Sequence, residues 1–298
     1  MNKKTLIIHN PKSGPKSTDT MINQLIDQLK QANKTVQINQ TKYAGHATKL
    51  CQNIDLHKYN NLIICGGDGT FNEVLNGLML HKEPFSPTLG FLPGGTGNAF
   101  MHDLKATNPK IAIQKIIKEK TKKIDILKLE FTHSTEYAIN IVGWGMVTDI
   151  LILAEKMRWV GSMRYSLASL YYIFNKATKR TKCIIDSTEI DNKKYIFILI
   201  CNTIHTGKGM QAAPKALIDD GFMDIILLKS TISKLQLLKL FPQIFSGAHI
   251  KSPYIEYLQA KKIKLIPETK DVLNIDGEAK CLTPVRVSVI PKKISIFY

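Results

Sequence analysis

Acidic residues are scarce in this chain of 298 residues. Lysine and arginine together number 41, against 24 aspartates and glutamates, which leaves a formal net charge of +17 at pH 7. A surplus of this size calls for an anionic partner, such as a nucleotide, a nucleic acid or an acidic membrane surface. A lysine-rich genome would produce the same balance, because the basic residues are spread along the chain rather than gathered in one tail.

Cysteine pairs and long apolar runs are also missing. The cysteines are odd in number and form no C-x-x-C pair, which argues against a disulfide framework or a zinc site and favours a reducing compartment. No apolar stretch approaches the ~20 residues that a membrane-spanning helix requires. The apolar run near the amino terminus is too short for a signal peptide. We therefore expect a cytoplasmic protein that reaches any lipid from outside the bilayer.

Hydrophobic periodicity divides the chain into two parts. Residues 1–128 alternate short apolar runs with helical patterns, which predicts an α/β lobe with a doubly wound, mostly parallel sheet. The predicted strands are 6–9, 36–38, 61–65 and 88–92, and the predicted helices are 18–32, 46–53, 71–80 and 109–120.

Residues 129–291 favour a β-rich, mainly antiparallel lobe. Strands are predicted at 137–142, 196–201, 223–228, 263–265, 272–275 and 285–290, with helices near 150–157, 162–176 and 233–245. The last residues, 292–298, contain a β-prone run, and we expect them to return to the first lobe.

A glycine-rich loop carries the strongest chemical signal. Gly66-Gly67-Asp68-Gly69-Thr70 follows an apolar predicted strand and opens a predicted helix. Glycines let backbone N–H groups approach phosphate oxygens, and the helix offers its positive N-terminal end. An aspartate in such a loop would repel phosphate unless it holds a cation, so Asp68 is interpreted as a Mg²⁺ partner.

Two more loops strengthen the phosphate interpretation. Gly94-Gly95-Thr96-Gly97-Asn98 and Asn10-Pro11-Lys12-Ser13-Gly14 also follow predicted strands. Since ligands of doubly wound sheets bind at the carboxyl ends of the strands, the three loops predict one shared phosphate pocket. None matches G-x-G-x-x-G or G-x-x-x-x-G-K-[ST], which disfavours dinucleotide-binding and P-loop folds.

These loops resemble the nucleotide-binding motifs of the diacylglycerol kinase and sphingosine kinase-like lipid kinases, in their small bacterial form. Residues 213–224 and 274–278 match two further motifs of that family, so the likeness covers nearly the whole chain. The resemblance implies ATP and Mg²⁺ as cofactors and a membrane lipid as the phosphoryl acceptor. It also implies a nucleotide lobe, a lipid-binding lobe and an active site in the cleft between them.

The resemblance also implies roles for individual residues. Nucleotide contacts are expected at Asn10, Pro11, Lys12, Ser13, Gly14, Thr41, Gly66, Gly67, Asp68, Gly69, Thr70, Phe71, Asn72, Glu73, Gly95, Thr96 and Asn98. A structural Mg²⁺ is expected at Asp220, with carbonyls near Leu217 and Phe222, although a plain acidic turn explains the same residues. Asp125 either joins Asp68 in a metal network through water or is a solvated aspartate at a strand end.

Asp68, Asp276 and Glu278 are the catalytic candidates. Phosphoryl transfer needs in-line positioning, Mg²⁺ and a carboxylate that orients the attacking hydroxyl. The resemblance favours Glu278 as the proton acceptor, with Asp276 as the alternative. One departure from the family is Ala99, where many bacterial members have aspartate, and this form is closer to the sphingosine and ceramide kinase branch.

Residues 155–182 combine basic and apolar side chains. Seven basic residues against one acidic residue leave a local net charge of +6, interspersed with aromatic and aliphatic residues. This pattern suits docking onto an anionic bilayer. A helix buried against a sheet would show the same periodicity.

Three readings of function remain open on these motifs. The favoured one is an ATP-dependent lipid kinase of phospholipid metabolism, acting on a diacylglycerol-like or sphingoid lipid, with peripheral membrane contact and no nucleic acid partner. A homodimer is left open. The alternatives are an NAD kinase-like small-molecule kinase and a catalytically impaired protein that binds anionic lipid.

Overall fold

The computed structural model describes residues 4–13, 17–82 and 87–298. The chain forms two compact units, one of residues 1–126 and 291–298 and the other of residues 127–290. We call these unit 1 and unit 2. Among the described residues, no helix combines the length and hydropathy needed to cross a membrane.

Unit 1 alternates strands and helices. Its elements are β1 (Lys4–His9), α1 (Ser17–Gln31), β2 (Thr35–Gln40), α2 (His46–Asn53), a 3₁₀ turn (Leu56–Lys58), β3 (Asn61–Gly66), α3 (Asp68–Met79), β4 (Thr88–Pro93), α4 (Ala99–Asp103), α5 (Pro109–Lys118) and the start of β5 (Thr121–Glu130). Strand β3 is buried at every position, as expected for a parallel strand covered on both faces.

The sheet of unit 1 is parallel and doubly wound. Strand β1 pairs with β2 on one side and β3 on the other, and β4 extends the sheet beyond β3. The chain therefore changes direction of winding between β1 and β3. In open α/β sheets the crevice at such a switch point is where ligands bind.

Unit 2 is mainly antiparallel. Its elements are β6 (Thr135–Ala138), β7 (Ile141–Gly145), α6 (Met146–Lys156), a 3₁₀ segment (Arg158–Met163), α7 (Arg164–Asn175), β8 (Lys179–Ile185), β9 (Thr188–Cys201), β10 (His205–Thr206), β11 (Met210–Gln211), β12 (Met223–Lys229), α8 (Lys234–Leu240), two 3₁₀ segments (Phe241–Phe245 and Ala248–Lys251), β13 (Ile255–Ala260), β14 (Lys262–Pro267), β15 (Val272–Ile275), β16 (Glu278–Leu282) and β17 (Val285–Phe297). The predicted fold class, a parallel α/β lobe followed by an antiparallel β-rich lobe, is confirmed.

Strand β9 organises unit 2. Its first half pairs with β8, and its second half pairs with β7 on one side and β12 on the other. One core cluster on this sheet contains Trp144, Tyr195 and Ile198, and a second contains Phe197, Leu199 and Leu237. Neighbouring β9 residues such as Ile198 and Leu199 therefore belong to different apolar clusters, because side chains alternate between the faces of a strand.

Several predicted boundaries are wrong for identifiable reasons. The single strand predicted at 137–142 is two strands, interrupted at Ile139 and Asn140. The helix predicted at 233–245 ends at Leu240 and continues as a 3₁₀ segment with Pro242 near its start, since proline cannot donate a helical hydrogen bond. Residues 179–182, which were counted in the basic segment 155–182, belong to β8.

The carboxyl-terminal strand belongs to both units. Strand β17 runs without a break from Val285 to Phe297, pairing antiparallel with β14 first and parallel with β4 later, where Ile296 faces Leu89. Sequence patterns predicted two separate pieces here. The return of the last residues to the first sheet agrees with the expectation.

Candidate active site

The two glycine loops of unit 1 touch through their backbones. The Gly94 N–H donates a hydrogen bond to the Gly66 carbonyl at 2.8 Å. A Cβ added to Gly95 would lie 2.6 Å from the Gly67 Cα. Because that neighbour is backbone, no side-chain rotation could relieve the clash. Glycine is therefore required at this contact, and the two loops form one continuous backbone surface.

Asn10 holds the first strand's loop against α3. Its amide nitrogen Nδ2 donates to Thr70 Oγ1 at 3.0 Å. The Asn10 Oδ1 accepts from the Lys12 N–H at 3.1 Å, and the Asn10 carbonyl accepts from Ser13 Oγ at 2.8 Å. A Cβ at Gly66 would lie 2.5 Å from the Thr70 Cβ, so glycine leaves the space that this threonine uses. The loops after β1 and β3 are thus tied together.

Asp68 connects the first glycine loop to the second. Its Oδ2 accepts a hydrogen bond from the Ala99 N–H at 3.0 Å, and its Oδ1 accepts one from the Phe100 N–H at 3.3 Å. A carboxylate in this position satisfies N–H groups that have no partner inside α4 and complements the positive end of the helix. Sequence analysis predicted a cation ligand, a nucleotide contact and a catalytic role for Asp68, but it missed this structural role.

Asn98 closes the second glycine loop on itself. It takes the left-handed conformation, with φ at 49°. Its Oδ1 accepts from the Gly95 N–H at 2.9 Å, and its Nδ2 donates to the Gly95 carbonyl at 2.8 Å. Asparagine tolerates this backbone region better than most residues. The side chain therefore holds the loop shape, whereas the neighbouring Thr96 is exposed.

Glu73 has a partner other than the expected nucleotide. Its Oε1 accepts from the Gly45 N–H at 2.8 Å and its Oε2 from the Ala47 N–H at 3.1 Å. The carboxylate thus stabilises the first turn of α2. Thr41, at the end of β2, is buried, and its N–H donates to the His9 carbonyl at 2.8 Å. This bond places Thr41 at the same sheet edge as the loops.

Two of the predicted nucleotide contacts are core side chains. Phe71 is 1% exposed and makes an edge contact with Phe91, which in turn contacts Phe100. Asn72 is fully buried and accepts a hydrogen bond from Asn76 Nδ2 at 3.2 Å. The prediction of ligand contact by these two side chains is corrected accordingly, because both are enclosed by the packing of unit 1. Gly14 lies outside the described residues.

Two buried residues that the sequence analysis did not single out end the strands beside the loops. His9 and Cys65 face each other in the pairing of β1 with β3. Burial lowers the pKa of His9, and the Asp19 carboxylate, 3.9 Å from His9 Nε2, opposes this shift. Burial raises the pKa of Cys65 to about 12, so its thiol stays protonated at neutral pH. The available signal for His9 was its place directly after the apolar run Leu6-Ile7-Ile8 of β1.

In unit 2, Asp276 is held by backbone N–H groups. Its Oδ2 accepts from Ile139 at 2.8 Å, and its Oδ1 accepts from Asn140 and Ile141, both at 2.9 Å. Asp276 and Gly277 both have positive φ, 49° and 90°, which is the two-residue turn favoured between twisted antiparallel strands. The buried carboxylate thus anchors the β15–β16 hairpin.

Glu278 stands at the start of β16 with a very different environment. Its side chain is 45% exposed and lies 3.7 Å from Lys280 Nζ. Lys280 also pairs with Glu136 at 3.1 Å. The two candidate carboxylates therefore diverge, one buried under backbone amides and the other exposed beside a cation. Lys280 was not singled out from sequence, since its partner Glu136 is far away along the chain.

Comparisons with known proteins cover both units of the chain. The diacylglycerol kinase catalytic domain matches residues 4–129, and the YegS C-terminal NAD kinase beta sandwich-like domain matches residues 140–298. The chain belongs to the diacylglycerol kinase family. It is a lipid kinase.

Relatives of this lipid kinase include both diacylglycerol and sphingosine kinases. The chain is 28% identical to the diacylglycerol kinase of Bacillus subtilis, over 95% of this chain and 92% of that protein. It is 27% identical to sphingosine kinase 1 of Arabidopsis thaliana, over 93% of this chain and 68% of that protein. A crystal structure of a diacylglycerol kinase from Bacillus anthracis is 27% identical, with a TM-score of 0.79 over all of this chain and 97% of the other.

The fold is shared more widely than the sequence. An NAD kinase from Archaeoglobus fulgidus matches 99% of this chain and 93% of its own with a TM-score of 0.51, at 11% identity. At that identity the likeness concerns the fold alone.

Of the carboxylates predicted to bind metal in this lipid kinase, Asp68 and Asp125 belong to unit 1 and Asp220 belongs to unit 2. No group of three or more His, Cys, Asp or Glu side chains that could hold a metal occurs in residues 4–13, 17–82 and 87–298. Asp125 is fully buried, and its Oδ1 accepts from the Lys292 N–H at 2.6 Å, which corrects the alternative of a solvated aspartate. Asp220 Oδ1 accepts from the Phe222 N–H at 3.0 Å, forming a local turn.

Apolar side chains are exposed on α7 and on the 3₁₀ segment before it. We call this set the α7 surface and define it by the exposed side chains Trp159, Met163, Leu167, Leu170, Tyr171 and Phe174. Trp159 is 85% exposed, whereas Ala168, Ser169 and Ile173 form the buried face of the helix. The helix thus buries one face, with Ile173 in a core cluster beside residues of β9, and exposes the other. Lys179 pairs with Asp149 and Asp271, so the positive charge of this region is smaller than sequence counting suggested.

Proposed function

We propose that this lipid kinase transfers the γ-phosphoryl group of ATP to a hydroxyl of a diacylglycerol-like membrane lipid. The observation that carries the proposal is the backbone contact between the two glycine loops at the switch point of the parallel sheet. Backbone N–H groups in such loops bind phosphate oxygens without the reorganisation that long side chains need. The first loop leads directly into α3, whose N-terminal end favours negative charge.

We assign the nucleotide to loop backbones rather than to enclosed side chains. The loop from Gly66 to Gly69 and residues 96 and 97 supply the proposed N–H donors, since the N–H groups of Gly94 and Gly95 already bond to the Gly66 carbonyl and to Asn98. Lys12 and Ser13 lie in the turn that Asn10 ties to α3. Lys12 is exposed and supplies the positive charge that a polyphosphate needs. Thr41 and Thr96 remain proposed contacts at the same sheet edge.

The site fits an Mg²⁺ ion that binds together with the nucleotide, rather than one held by protein ligands alone. In kinases Mg²⁺ keeps several waters and is bound by one or two carboxylates together with phosphate oxygens. Asp68 is suited to that role, because a carboxylate oxygen can accept a hydrogen bond and bind a cation at the same time, and its two oxygens accept the Ala99 and Phe100 N–H groups. When bound, Mg²⁺ would neutralise charge on the transferred phosphoryl group. We assign Asp125 no metal role, since it is enclosed, and the turn at Leu217, Asp220 and Phe222 remains a proposed structural site.

Glu278 is the proposed proton acceptor for the lipid hydroxyl. An exposed carboxylate can reach an incoming hydroxyl, whereas the oxygens of Asp276 already accept three backbone N–H groups. We assign Asp276 to positioning: it fixes the turn from which Glu278 projects. Lys280 lies on the same strand, 3.7 Å from Glu278, and also pairs with Glu136.

Two observations bear on the acceptor lipid. The diacylglycerol kinase of Bacillus subtilis matches this chain over nearly its full length, which favours a diacylglycerol-like acceptor. Ala99 favours a sphingoid acceptor as the second candidate, because its N–H binds Asp68 and its methyl group stands where many bacterial relatives carry a carboxylate. We propose that the α7 surface reaches the bilayer in either case.

The test is a product analysis. Purified protein is incubated with γ-labelled ATP and Mg²⁺ in mixed micelles that contain diacylglycerol, sphingosine, ceramide or no lipid, and with NAD in a separate reaction. We expect labelled phosphatidate from diacylglycerol. Labelling of NAD alone would overturn the proposal, and labelling of sphingosine in preference to diacylglycerol would select the second candidate.

A further inference from the structure

A second group of polar residues lies outside the proposed catalytic machinery. A cavity of about 270 Å³ is lined by α8, the two 3₁₀ segments that follow it and the start of the chain leading to β13. We call it the α8 cavity. Its lining residues are Ile232, Gln236, Lys239, Leu240, Gln243, Lys251, Ser252 and Tyr254. Both charges in this set are positive.

The charge of the surrounding segment is one-sided. No aspartate or glutamate occurs between Ser230 and Tyr254, while Lys234, Lys239 and Lys251 all fall in this stretch. The next acidic residue along the chain, Glu256, pairs with Lys229 at 2.9 Å. The two lysines of the cavity therefore have no carboxylate in its lining to neutralise them.

Hydrogen bonds orient the uncharged donors of the cavity. Gln236 belongs to the capping box of α8: its Oε1 accepts from the Ser233 N–H at 2.8 Å. Its Nε2 donates to the Tyr254 hydroxyl at 2.8 Å, and Ser252 Oγ accepts from the Tyr254 N–H. Since both hydroxyls act as acceptors in these bonds, each still has its proton to donate. Two ammonium groups and two hydroxyl donors form a site for a phosphate group.

Apolar side chains stand beside these donors. Leu235 is 74% exposed and lies one turn before Lys239 on the same side of α8, and Leu238 is 38% exposed. Helix α8 packs against α7, whose outward side chains form the α7 surface. A soluble phosphate would make no use of these leucines, whereas a lipid brings a phosphate and acyl chains together.

We propose that the α8 cavity binds the phosphodiester headgroup of an anionic glycerophospholipid of the bilayer, with Leu235 and Leu238 inserted among the acyl chains. This inference rests on the proposed membrane contact and extends it, since the acceptor diacylglycerol carries no phosphate. The cavity recognises the membrane around the acceptor rather than the acceptor itself. It would retain the enzyme on anionic bilayers between turnovers.

The experiment compares two double variants of equal charge. Lys239→Gln/Lys251→Gln removes both cations of the cavity, and Lys193→Gln/Lys234→Gln removes two exposed cations outside its lining. Binding is measured by sedimentation with phosphatidylcholine vesicles that do or do not contain phosphatidylglycerol. Each basic residue near an anionic surface contributes ~1 kcal/mol, so we expect the cavity variant to bind about tenfold more weakly than the control variant. Activity on a short-chain diacylglycerol below its micellar concentration should be unchanged in both.

The possible outcomes separate the two proposals. Equal losses of vesicle binding in both double variants would show that net charge alone is responsible, and would overturn the proposed headgroup site in the α8 cavity. Failure of the wild-type protein to bind any anionic vesicle would overturn both the proposed membrane contact and the proposed headgroup site. Glycerol 3-phosphate at low millimolar concentration should not release the protein from vesicles. Tight binding of glycerol 3-phosphate that depends on Lys239 and Lys251 would identify a soluble phosphate site instead and overturn the lipid assignment.

Discussion

Asp68 and Ala99 join the two glycine loops, because the Asp68 carboxylate accepts the Ala99 N–H at 3.0 Å. The residue that we assign to Mg²⁺ therefore also caps α4. Its substitution should change both stability and catalysis, and the two effects have to be measured separately.

Replacement of Asp68 tests this double role. Asp68→Ala removes the cap, and loss of a helix cap commonly costs about 1 kcal/mol. Asp68→Asn keeps one of the two oxygen acceptors, so we expect its stability to fall no further than that of Asp68→Ala, while its activity falls strongly and no longer responds to Mg²⁺ concentration. Urea denaturation and initial rates at varied Mg²⁺ measure the two effects. A folded Asp68→Asn protein with near-normal turnover would contradict the metal assignment.

Gly95→Ala should damage nucleotide binding. The new Cβ would lie 2.6 Å from the Gly67 Cα, so the two loops must separate. We expect KM for ATP to rise about tenfold or more, a loss of ~1.4 kcal/mol in binding. Gly45→Asn is the control, because Gly45 has a left-handed backbone and no atom within 4 Å of an added Cβ. Equal KM values for ATP in the two variants would show that loop contact is not needed.

Glu278→Gln should lower kcat with little change in KM for ATP. General-base assistance contributes ~10²–10⁴ in rate, and the amide cannot accept the proton. The stability of the variant should be unchanged, since the side chain is 45% exposed.

Asp276→Asn is the matched comparison on the same hairpin. Its amide would put N–H groups where backbone N–H groups already point, and an unsatisfied buried donor costs ~1–3 kcal/mol. We expect lower stability first, with activity loss as its consequence. A stable but inactive Asp276→Asn together with an active Glu278→Gln would reverse the assigned roles.

The two tryptophans of the chain report membrane contact. Trp159 is 85% exposed, whereas Trp144 is 1% exposed. We expect a blue shift of fluorescence when anionic vesicles are added, weaker at high salt, because exposed charges are screened over ~8 Å at physiological ionic strength. Trp159→Phe should abolish the shift. An unchanged shift in that variant would remove the α7 surface from the membrane contact.

Stability should fall as the pH is lowered below about 6.5, the ordinary pKa of histidine. Burial lowers the pKa of His9, and it lowers that of His249 against the raising effect of its backbone hydrogen bonds. Because the unfolded chain takes up these protons first, each residue removes up to about 1.4 kcal/mol per pH unit below that value. Urea denaturation from pH 8 to pH 5 measures this slope. His9→Gln and His249→Gln should each reduce the slope, and an unchanged slope in both variants would contradict this assignment.

Much of the nucleotide region followed from sequence. Glycine-rich loops after apolar strands can be recognised from neighbouring residues alone, since the close approach of two backbones depends on which residue occupies that position. The alternation of strands and helices predicted the parallel sheet for the same reason: periodicity is a property of neighbouring residues.

Only the tertiary structure shows which residues contact each other when they lie far apart along the chain. The three backbone N–H groups around Asp276 come from residues about 135 positions earlier, and the partner of Lys280 is 144 positions away. Such contacts leave no local pattern. The hydrogen bonds by which Asp68, Glu73 and Asp125 connect segments of unit 1 could not be predicted for the same reason. The sequence shows only a carboxylate, and a carboxylate can bind a metal, a phosphate-bound cation or a backbone amide.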